Sequence, residues 1–230
     1  MTQPRAVKTR ENLLHGAATE FARHGYTAAS IVRILDTTAC SKGAMYFHFA
    51  SKRDMAEAVL DTAAAAYTAI AERWTTAEGI HPLDAITGMV DEAAQAFTSD
   101  VSLRAEARLS VEPEFSARHP TAAWDEAIVV FASRAAESGC MRDGFTAAKF
   151  VRVLSAPLAG HRLLAHIVPA DVAVSIRSGY TESLDTVLTA TTTRNTAAAG
   201  SADQETYTIE TVDTSVPARR AAWTAYPAQV

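Results

Sequence analysis

Apolar residues recur at intervals of three and four along almost the whole of this 230-residue chain, and no stretch before residue 200 alternates cleanly between apolar and polar residues. Intervals of three and four place side chains on one face of an α-helix, whereas alternation is typical of a half-buried strand. The chain is therefore predicted to be all-α. After four helices within residues 7–79, breaks at polar, proline and glycine residues predict further helices near residues 82–98, 101–110, 119–138, 145–167 and 170–190.

Capping residues mark the limits of the first four predicted helices. Gly25 follows the apolar stripe of the first helix and can adopt the positive φ that ends a helix. Thr27, Ser41 and Ser51 are predicted to cap the next three helices, because their side-chain oxygens can accept hydrogen bonds from the first backbone N–H groups. The apolar face of the third helix is assigned to Ala44, Met45 and Phe47.

Positive charge is concentrated near the N-terminus. Residues 1–56 hold eight lysines and arginines against four acids, whereas the remaining 174 residues carry 13 basic and 22 acidic side chains. A basic block attached to an acidic body is typical of a nucleic-acid-binding module joined to another domain. The predicted domains are a DNA-binding module at 1–52 and a second helical domain at 53–190.

The C-terminal 40 residues differ in composition from the rest of the chain. Residues 191–230 contain no Leu, Met or Phe, and 18 of the 40 are Thr or Ala. Such a segment has little apolar surface to bury against the entropy that ordering would cost. This tail is therefore predicted to be mostly disordered.

The sequence lacks the features of membrane, secreted and metal-binding proteins. Its longest apolar run, residues 127–132, is too short to cross a bilayer, and no apolar stretch follows the basic N-terminus as in a secretory signal. Cys40 and Cys140 lie 100 positions apart, which fits neither a disulfide framework nor a zinc site. We expect a soluble cytoplasmic protein with no metal, no cofactor and no membrane partner.

Residues 27–49 have the pattern of a helix-turn-helix. Two short predicted helices are joined by a tight turn, and the second, which opens with Ser41-Lys42-Gly43, would lie in the major groove of double-stranded DNA. In that position Lys42 can donate to guanine and Gly43 lets the backbone approach closely, while Tyr46, His48 and Lys52 can reach phosphates. The predicted DNA-binding residues are Thr27, Ser30, Ser41, Lys42, Gly43, Tyr46, His48 and Lys52.

The same region resembles the DNA-binding domain of TetR-type repressors. The resemblance is carried by residues 8–10, 21–26 and 41–52, of which Tyr46-Phe47-His48-Phe49 is the most specific part. It departs at Cys40, where a valine or a similar small aliphatic residue is usual, and at Asp36-Thr37-Thr38, where alanines are commoner. The resemblance implies a homodimeric repressor whose helical domain binds a small-molecule ligand, and a partner subunit would cover the second apolar side of helix 145–167.

A narrower resemblance is to the γ-butyrolactone receptor branch of actinomycetes, which are repressors of secondary metabolism. It rests on residues 44–49, residues 103–109 and Trp124. It implies that Trp124 lines a ligand pocket and that the signal is a γ-butyrolactone, butenolide or furan. Relatives in this branch commonly have Gln and Thr where this chain has Ala63 and His161, which implies a changed pocket with His161 as a candidate ligand contact.

Other interpretations of these residues stay open. Trp124 could be a core residue, and His161 could be a hydrogen-bonded core histidine. A regulator of the pseudo-receptor kind would respond to an antibiotic or to no lactone, and a DNA-binding protein without a ligand would have no cavity beneath Trp124. A helical enzyme is disfavoured, because the sequence has no nucleophile-elbow, dinucleotide-binding or P-loop pattern.

Overall fold

The structure is a computed structural model that describes residues 3–167 and 175–193. Within those ranges the chain forms α-helices and one 3₁₀ helix at Pro113–Phe115, with no strand, which confirms the all-α prediction. The helices are α1 Gln3–Ala28, α2 Ile31–Thr38, α3 Lys42–His48, α4 Lys52–Thr75, α5 Pro82–Ser99, α6 Val101–Leu109, α7 Ala122–Glu137, α8 Ala147–Ile167 and α9 Ile176–Thr191.

The junction of α1 and α2 differs from the sequence prediction. Gly25 has φ 71°, as expected, but a further turn of helix follows it and α1 ends at Ala28. Thr27 lies in that extra turn, and the residue that precedes α2 in extended conformation is Ser30, at φ −118°. The assignment of Thr27 as a cap is therefore wrong, because the chain resumes helical geometry after the glycine and the cap moves three residues later.

The caps of α3 and α4 are confirmed, but the apolar face of α3 is corrected. Ser41 Oγ and Ser51 Oγ each accept a hydrogen bond at 3.1 Å, from the N–H groups of Ala44 and Asp54. Met45 is fully buried, whereas Phe47 is 80% exposed. Two residues along a helix rotate a side chain by about 200°, so a helix that buries Met45 must direct Phe47 outward.

Two apolar cores hold the helices together. One joins α1, α2 and α3 to the first turns of α4 and to α6, around Phe21, Ile34, Met45 and Phe115. The other joins the remainder of α4 to α5, α7, α8 and α9. Since α4 and α6 contribute to both cores, a change in the second core can reach the helix-turn-helix through them.

The helical packing ends just after α9. The N–H of Thr193 donates to the carbonyl of Cys140 at 2.9 Å, and Arg142 Nε donates to the carbonyl of Thr192 at 2.7 Å. The rest of the predicted tail lies outside the described residues. None of the helices in the described ranges combines the length and the apolar composition that a membrane crossing requires.

Candidate DNA interface and effector cavity

The turn between α2 and α3 is fixed from both sides. Ala39 has a left-handed φ of 51°, and the N–H of Cys40 donates to the carbonyl of Leu35 at 3.2 Å. Asn12 on α1 donates through Nδ2 to the carbonyl of Thr38 at 2.9 Å. These bonds hold α3 in a set orientation against α1, as a helix-turn-helix requires.

Gly16 explains how the unusual residues in this turn are accommodated. A Cβ atom at position 16 would lie 2.3 Å from Cγ2 of Thr38, so only glycine allows α1 and α2 to approach this closely. The hydroxyl of Thr38 donates to the carbonyl of Ile34 at 2.8 Å and is thereby satisfied although buried. The departure from the family pattern at 36–38 is therefore a packing feature of the turn.

The outward face of α3 presents the predicted recognition residues to solvent. Lys42, Gly43 and Tyr46 are exposed, and Lys42 Nζ lies 5.9 Å from the centroid of the Tyr46 ring. Apart from its chain neighbours and the backbone of α3, the nearest described atom to the Cβ position of Gly43 is Ser41 Oγ, at 3.9 Å. Phe47, which the sequence predicts to face the core, is exposed instead. Its ring stands edge to face with the His48 ring, and their centroids are 4.9 Å apart.

Three other predicted DNA-binding residues have partners inside the protein. Lys52 Nζ donates to the carbonyls of Tyr26 and Ala29 at 2.8 and 3.1 Å. The N–H of Ser30 donates to Glu20 at 2.9 Å, and the Thr27 hydroxyl lies 3.5 Å from a carboxylate oxygen of Glu112. These contacts fix the junction of α1 and α2, and contact of the three residues with DNA stays a prediction.

Glu20 joins α1 to the start of α2. Its carboxylate is almost buried and pairs with Arg33 at 2.6 Å, in addition to the hydrogen bond from Ser30. Burial alone would raise the pKa of Glu20, but the hydrogen bonds from Arg33 and Ser30 and the positive charge of Arg33 together hold it below its ordinary value. The ionised carboxylate is thus part of what orients the helix-turn-helix.

The second domain contains a cavity of about 190 Å³ against Trp124. Trp124 itself is 7% exposed. An adjoining cavity of about 260 Å³ shares three lining residues with it, Thr121, Ala159 and Arg162. Side chains from α4, α5, α7, α8 and α9 contribute to the cavity of Trp124, and the main ones are Tyr67, Ala93, Trp124, Leu158, Arg162 and Tyr180.

Arg162 is the basic residue of this lining. One end of its guanidinium forms an ion pair with Glu106 of α6, which is only 2% exposed, and Cζ lies 5.6 Å from the centroid of the Tyr67 ring. Glu106 also accepts a hydrogen bond from Ser110 Oγ at 2.7 Å. The ion pair therefore connects α8, which lines the cavity, to α6.

The cavity surroundings disfavour additional charge. Asp125 lines the cavity although its side chain is partly exposed to solvent; it accepts a hydrogen bond from the Thr121 hydroxyl at 2.6 Å, and partial desolvation raises its pKa. Burial also raises the pKa of Tyr180 to about 12. The shift of Tyr180, which is buried, follows from the poor solvation of its charged form.

The structure does not bring His161 to this cavity. Its Nε2 lies 3.1 Å from Ser183 Oγ on α9, and a Cβ atom at Gly179 would lie 2.5 Å from its Nδ1. His161 thus packs at the crossing of α8 and α9, one position away from the residue that does face the cavity. Ala63 is fully buried, and Tyr67, one turn further along α4, lines the cavity instead.

Arg162 is the cavity residue that the sequence analysis missed. His161 and Arg162 together interrupt the stretch of α8 between Ala159-Gly160 and Leu163-Leu164. A charged residue at such a place in the sequence indicates a candidate polar contact inside the second domain. Glu106, the partner, lies 56 residues away on α6, so only the tertiary structure pairs the two.

The end of α6 contacts the helix-turn-helix module directly. Arg108 Nη1 donates to the carbonyl of Arg23 at 3.1 Å, and the N–H of Tyr26 donates to Glu112 Oε1 at 3.0 Å. A Cβ atom at Gly25 would lie 2.9 Å from that carboxylate oxygen. A continuous set of contacts therefore runs from the cavity through Glu106 and the end of α6 to the last turns of α1.

An exposed helix of a helix-turn-helix, joined through α6 to a helical domain with a ligand-sized cavity, is typical of a ligand-responsive DNA-binding regulator. The family model for bacterial regulatory proteins of the tetR family matches residues 13–59. The HTH-type transcriptional repressor AcnR of Corynebacterium efficiens is 30% identical over 145 residues, which make up 61% of this chain and 73% of AcnR. The chain belongs to the TetR family, and it is a transcriptional repressor rather than an enzyme.

Two further similarities point to one branch of this family. The A-factor receptor protein of Streptomyces griseus is 35% identical over 129 residues, which make up 54% of this chain but only 43% of that protein. A solved structure described as the molecular basis for control of antibiotic production by bacterial hormones has a TM-score of 0.66 at 30% identity, covering 81% of this chain and 98% of the other. The predicted resemblance to the γ-butyrolactone receptor branch is confirmed.

Proposed function

We propose that this repressor binds an approximate inverted repeat as a homodimer and is released by a small γ-butyrolactone, butenolide or furan-type signal that controls secondary metabolism. The observation that carries the proposal is the cavity against Trp124, in a chain whose recognition helix is exposed and whose relatives include an A-factor receptor. Trp124 offers a broad apolar wall for such a ligand. An acyl chain has room to extend into the adjoining cavity past Arg162.

An exposed apolar face of α8 supports the homodimer. Leu164 is 45% exposed and Ile167 is 74% exposed, although both are large and apolar. The same side of the helix carries Val153, 41% exposed, and Gly160, whose Cβ position has no atom within 4 Å in the described part of the chain. A second copy packed on this face would bury these residues and present two recognition helices to successive major grooves, about 34 Å apart.

Release would be a shift between two populations of the dimer. A ligand that rearranges Arg162 changes the partner of Glu106 on α6, and the end of α6 holds the last turns of α1 through Arg108 and Glu112. For a complete switch the ligand must prefer the released state by about 10⁴-fold. The proposed path uses contacts of the last turn of α6 and of the residue Glu112 just beyond it.

The test compares operator binding by the wild type and Trp124→Ala, with Trp74→Ala as a matched control. DNA from upstream of the protein's own coding region serves as the operator in mobility-shift titrations with butyrolactones, butenolides and furan acids. Trp74 is also a tryptophan of the second domain, but its Nε1 donates to Glu92 at 2.9 Å and it does not line the cavity. We expect Trp124→Ala to bind DNA without being released, while Trp74→Ala responds as the wild type does.

Two results would contradict this proposal. If no ligand of the panel releases the wild type, the effector belongs to another class, and an antibiotic becomes the next candidate. If Trp124→Ala is released normally, Trp124 is a core residue and the effector site lies elsewhere.

A further inference from the structure

Two buried N–H groups at the Trp124 cavity have no hydrogen-bond partner among the described residues. They are Nε1 of Trp124 and Nε of Arg162, and both residues line the cavity. Buried donors are nearly always satisfied in folded proteins, and an unmade bond costs the full desolvation of the group. A pair of them at one cavity therefore indicates a site completed by an acceptor from outside the chain.

The geometry of Arg162 leaves one side of its guanidinium for such an acceptor. The planar group carries five N–H donors in a fixed fork, so one edge can hold a partner while another serves a second one. Nη2 donates to Glu106, and the face of the group lies over the Tyr67 ring. These contacts use neither Nε nor Nη1, and of the two Nε is the buried donor without a partner among the described residues.

The charges around the cavity decide which acceptor fits. Glu106 already balances the charge of Arg162, and the lining of the Trp124 cavity contains a further carboxyl group, that of Asp125. Among the described lining residues Arg162 is the sole lysine or arginine. A ligand carboxylate would therefore add a negative charge that no cation is left to balance, at high desolvation cost.

We propose that Arg162 and Trp124 form the polar end of the effector site and select an uncharged effector with a carbonyl oxygen over one with a free carboxylate. A carbonyl oxygen has two lone pairs, so it can accept from both N–H groups without adding charge. This inference rests on the proposed function, because it assigns the chemistry of the effector that would release the repressor. It also places the polar anchor at Arg162 instead of at the neighbouring His161.

Conservative variants distinguish the effect of losing an N–H donor from the effect of losing side-chain packing. Arg162→Lys keeps a positive charge for Glu106 but lacks the Nε donor, and Trp124→Phe keeps an aromatic wall but lacks the indole N–H. The probes are a 3-alkyl-γ-butyrolactone, the matching ring-opened 4-hydroxycarboxylate, and a tetrahydrofuran with the same alkyl chain but no carbonyl. Calorimetric titration of the full-length protein without DNA gives each dissociation constant, and operator affinity without ligand checks that each variant is folded.

We expect the wild type to bind the lactone at least about 10-fold more tightly than either other probe. Each variant should weaken lactone binding by about 10-fold and tetrahydrofuran binding by much less, because the tetrahydrofuran loses only packing and has no carbonyl for the two donors to serve. A merely structural role for the two residues would weaken all three probes equally.

The outcomes distinguish this inference from the proposed function. If the lactone binds the wild type and the variants equally, or if the carboxylate binds more tightly than the lactone, the roles assigned to Arg162 and Trp124 are wrong. The proposed function is then still supported, with a lactone or an acid as the effector. If the wild type binds its operator but none of the probes, both the roles assigned to Arg162 and Trp124 and the proposed class of effector are wrong.

Discussion

Lys42 stands at the first position of the recognition helix with an exposed ammonium group beside the Tyr46 ring. In a helix-turn-helix this position faces base edges, so Lys42→Ala should weaken operator binding by about 1–3 kcal/mol and relax base preference at one position of each half-site. Mobility-shift titrations against a panel of half-site variants measure both effects.

Lys149 supplies the matched control for this substitution. It is half-buried, and its Nζ also lies near an aromatic ring, 4.1 Å from the centroid of Phe145, but it belongs to α8. Lys149→Ala should leave operator affinity within experimental error. If Lys42→Ala weakens all half-site variants uniformly, Lys42 contacts a phosphate and carries no base preference.

Glu20 gives a pH-dependent prediction at the same scale. Its carboxylate is stabilised in the folded state by Arg33 and Ser30, so Glu20→Gln should lower the free energy of unfolding by about 1–2 kcal/mol at pH 7. Because the pKa of Glu20 is lowered in the folded protein, this stabilisation is present above about pH 4.3, the pKa in an unfolded chain, and is lost as the pH falls through the folded-state pKa.

Urea unfolding of the wild type and Glu20→Gln at pH 7 and below pH 4 measures this effect. The difference between the two proteins should shrink at the lower pH. Glu11→Gln on the same helix is the control, since Glu11 is exposed and should show little difference at either pH. A difference for Glu20→Gln that is equal at both pH values would mean that ion pairing with Arg33 contributes nothing.

Helix α6 is the element that connects the cavity with the helix-turn-helix. Glu112, just beyond its C-terminus, accepts the hydrogen bond from the N–H of Tyr26. Glu112→Ala should therefore reduce the factor by which the effector changes operator affinity, and should change effector binding in the absence of DNA by less than about 2-fold. The measurement is the operator dissociation constant with and without saturating effector.

Glu114, two residues further along, is the matched control for α6. Its side chain is exposed, and only its backbone carbonyl is contacted, by Arg53 at 3.3 Å. Glu114→Ala should keep the full effect of the ligand. If Glu112→Ala also keeps it, the signal reaches the DNA-binding module through α4 instead of through the end of α6.

For the whole molecule, the proposed dimer makes operator recognition depend on the spacing of its two recognition helices. Leu164 lies on the exposed apolar face of α8, which is the proposed subunit interface, so Leu164→Glu should give a monomer and weaken operator binding by at least about 100-fold. Light scattering on the purified protein gives the oligomeric state. Val7→Glu, also at an exposed apolar residue but on α1, should remain dimeric.

A dimer that persists in Leu164→Glu would place the subunit interface on another surface. The exposed valines of α7, Val129 and Val130, would then be the next residues to substitute.

Local sequence patterns determined the helices and the position of the DNA-binding module. Helix periodicity depends on residues three and four apart, and capping by Ser41 and Ser51 depends on N–H groups of the next turn, so both can be predicted without knowing the fold. The same patterns misplaced Phe47 and Thr27. A helix of seven residues is too short for periodicity to define its buried face, and the extra turn after Gly25 depends on packing against α6.

Only the tertiary structure decided the chemistry of the cavity. Trp124 could be predicted from family resemblance, but the pairing of Arg162 with Glu106 joins residues 56 positions apart, and its burial depends on five helices meeting around one space. His161 and Arg162 are neighbours in sequence, and a rotation of about 100° per residue sends one toward α9 and the other toward the cavity. Which of the two faces the cavity depends on how α8 is rotated against its neighbours, and the packing of the whole core sets that rotation.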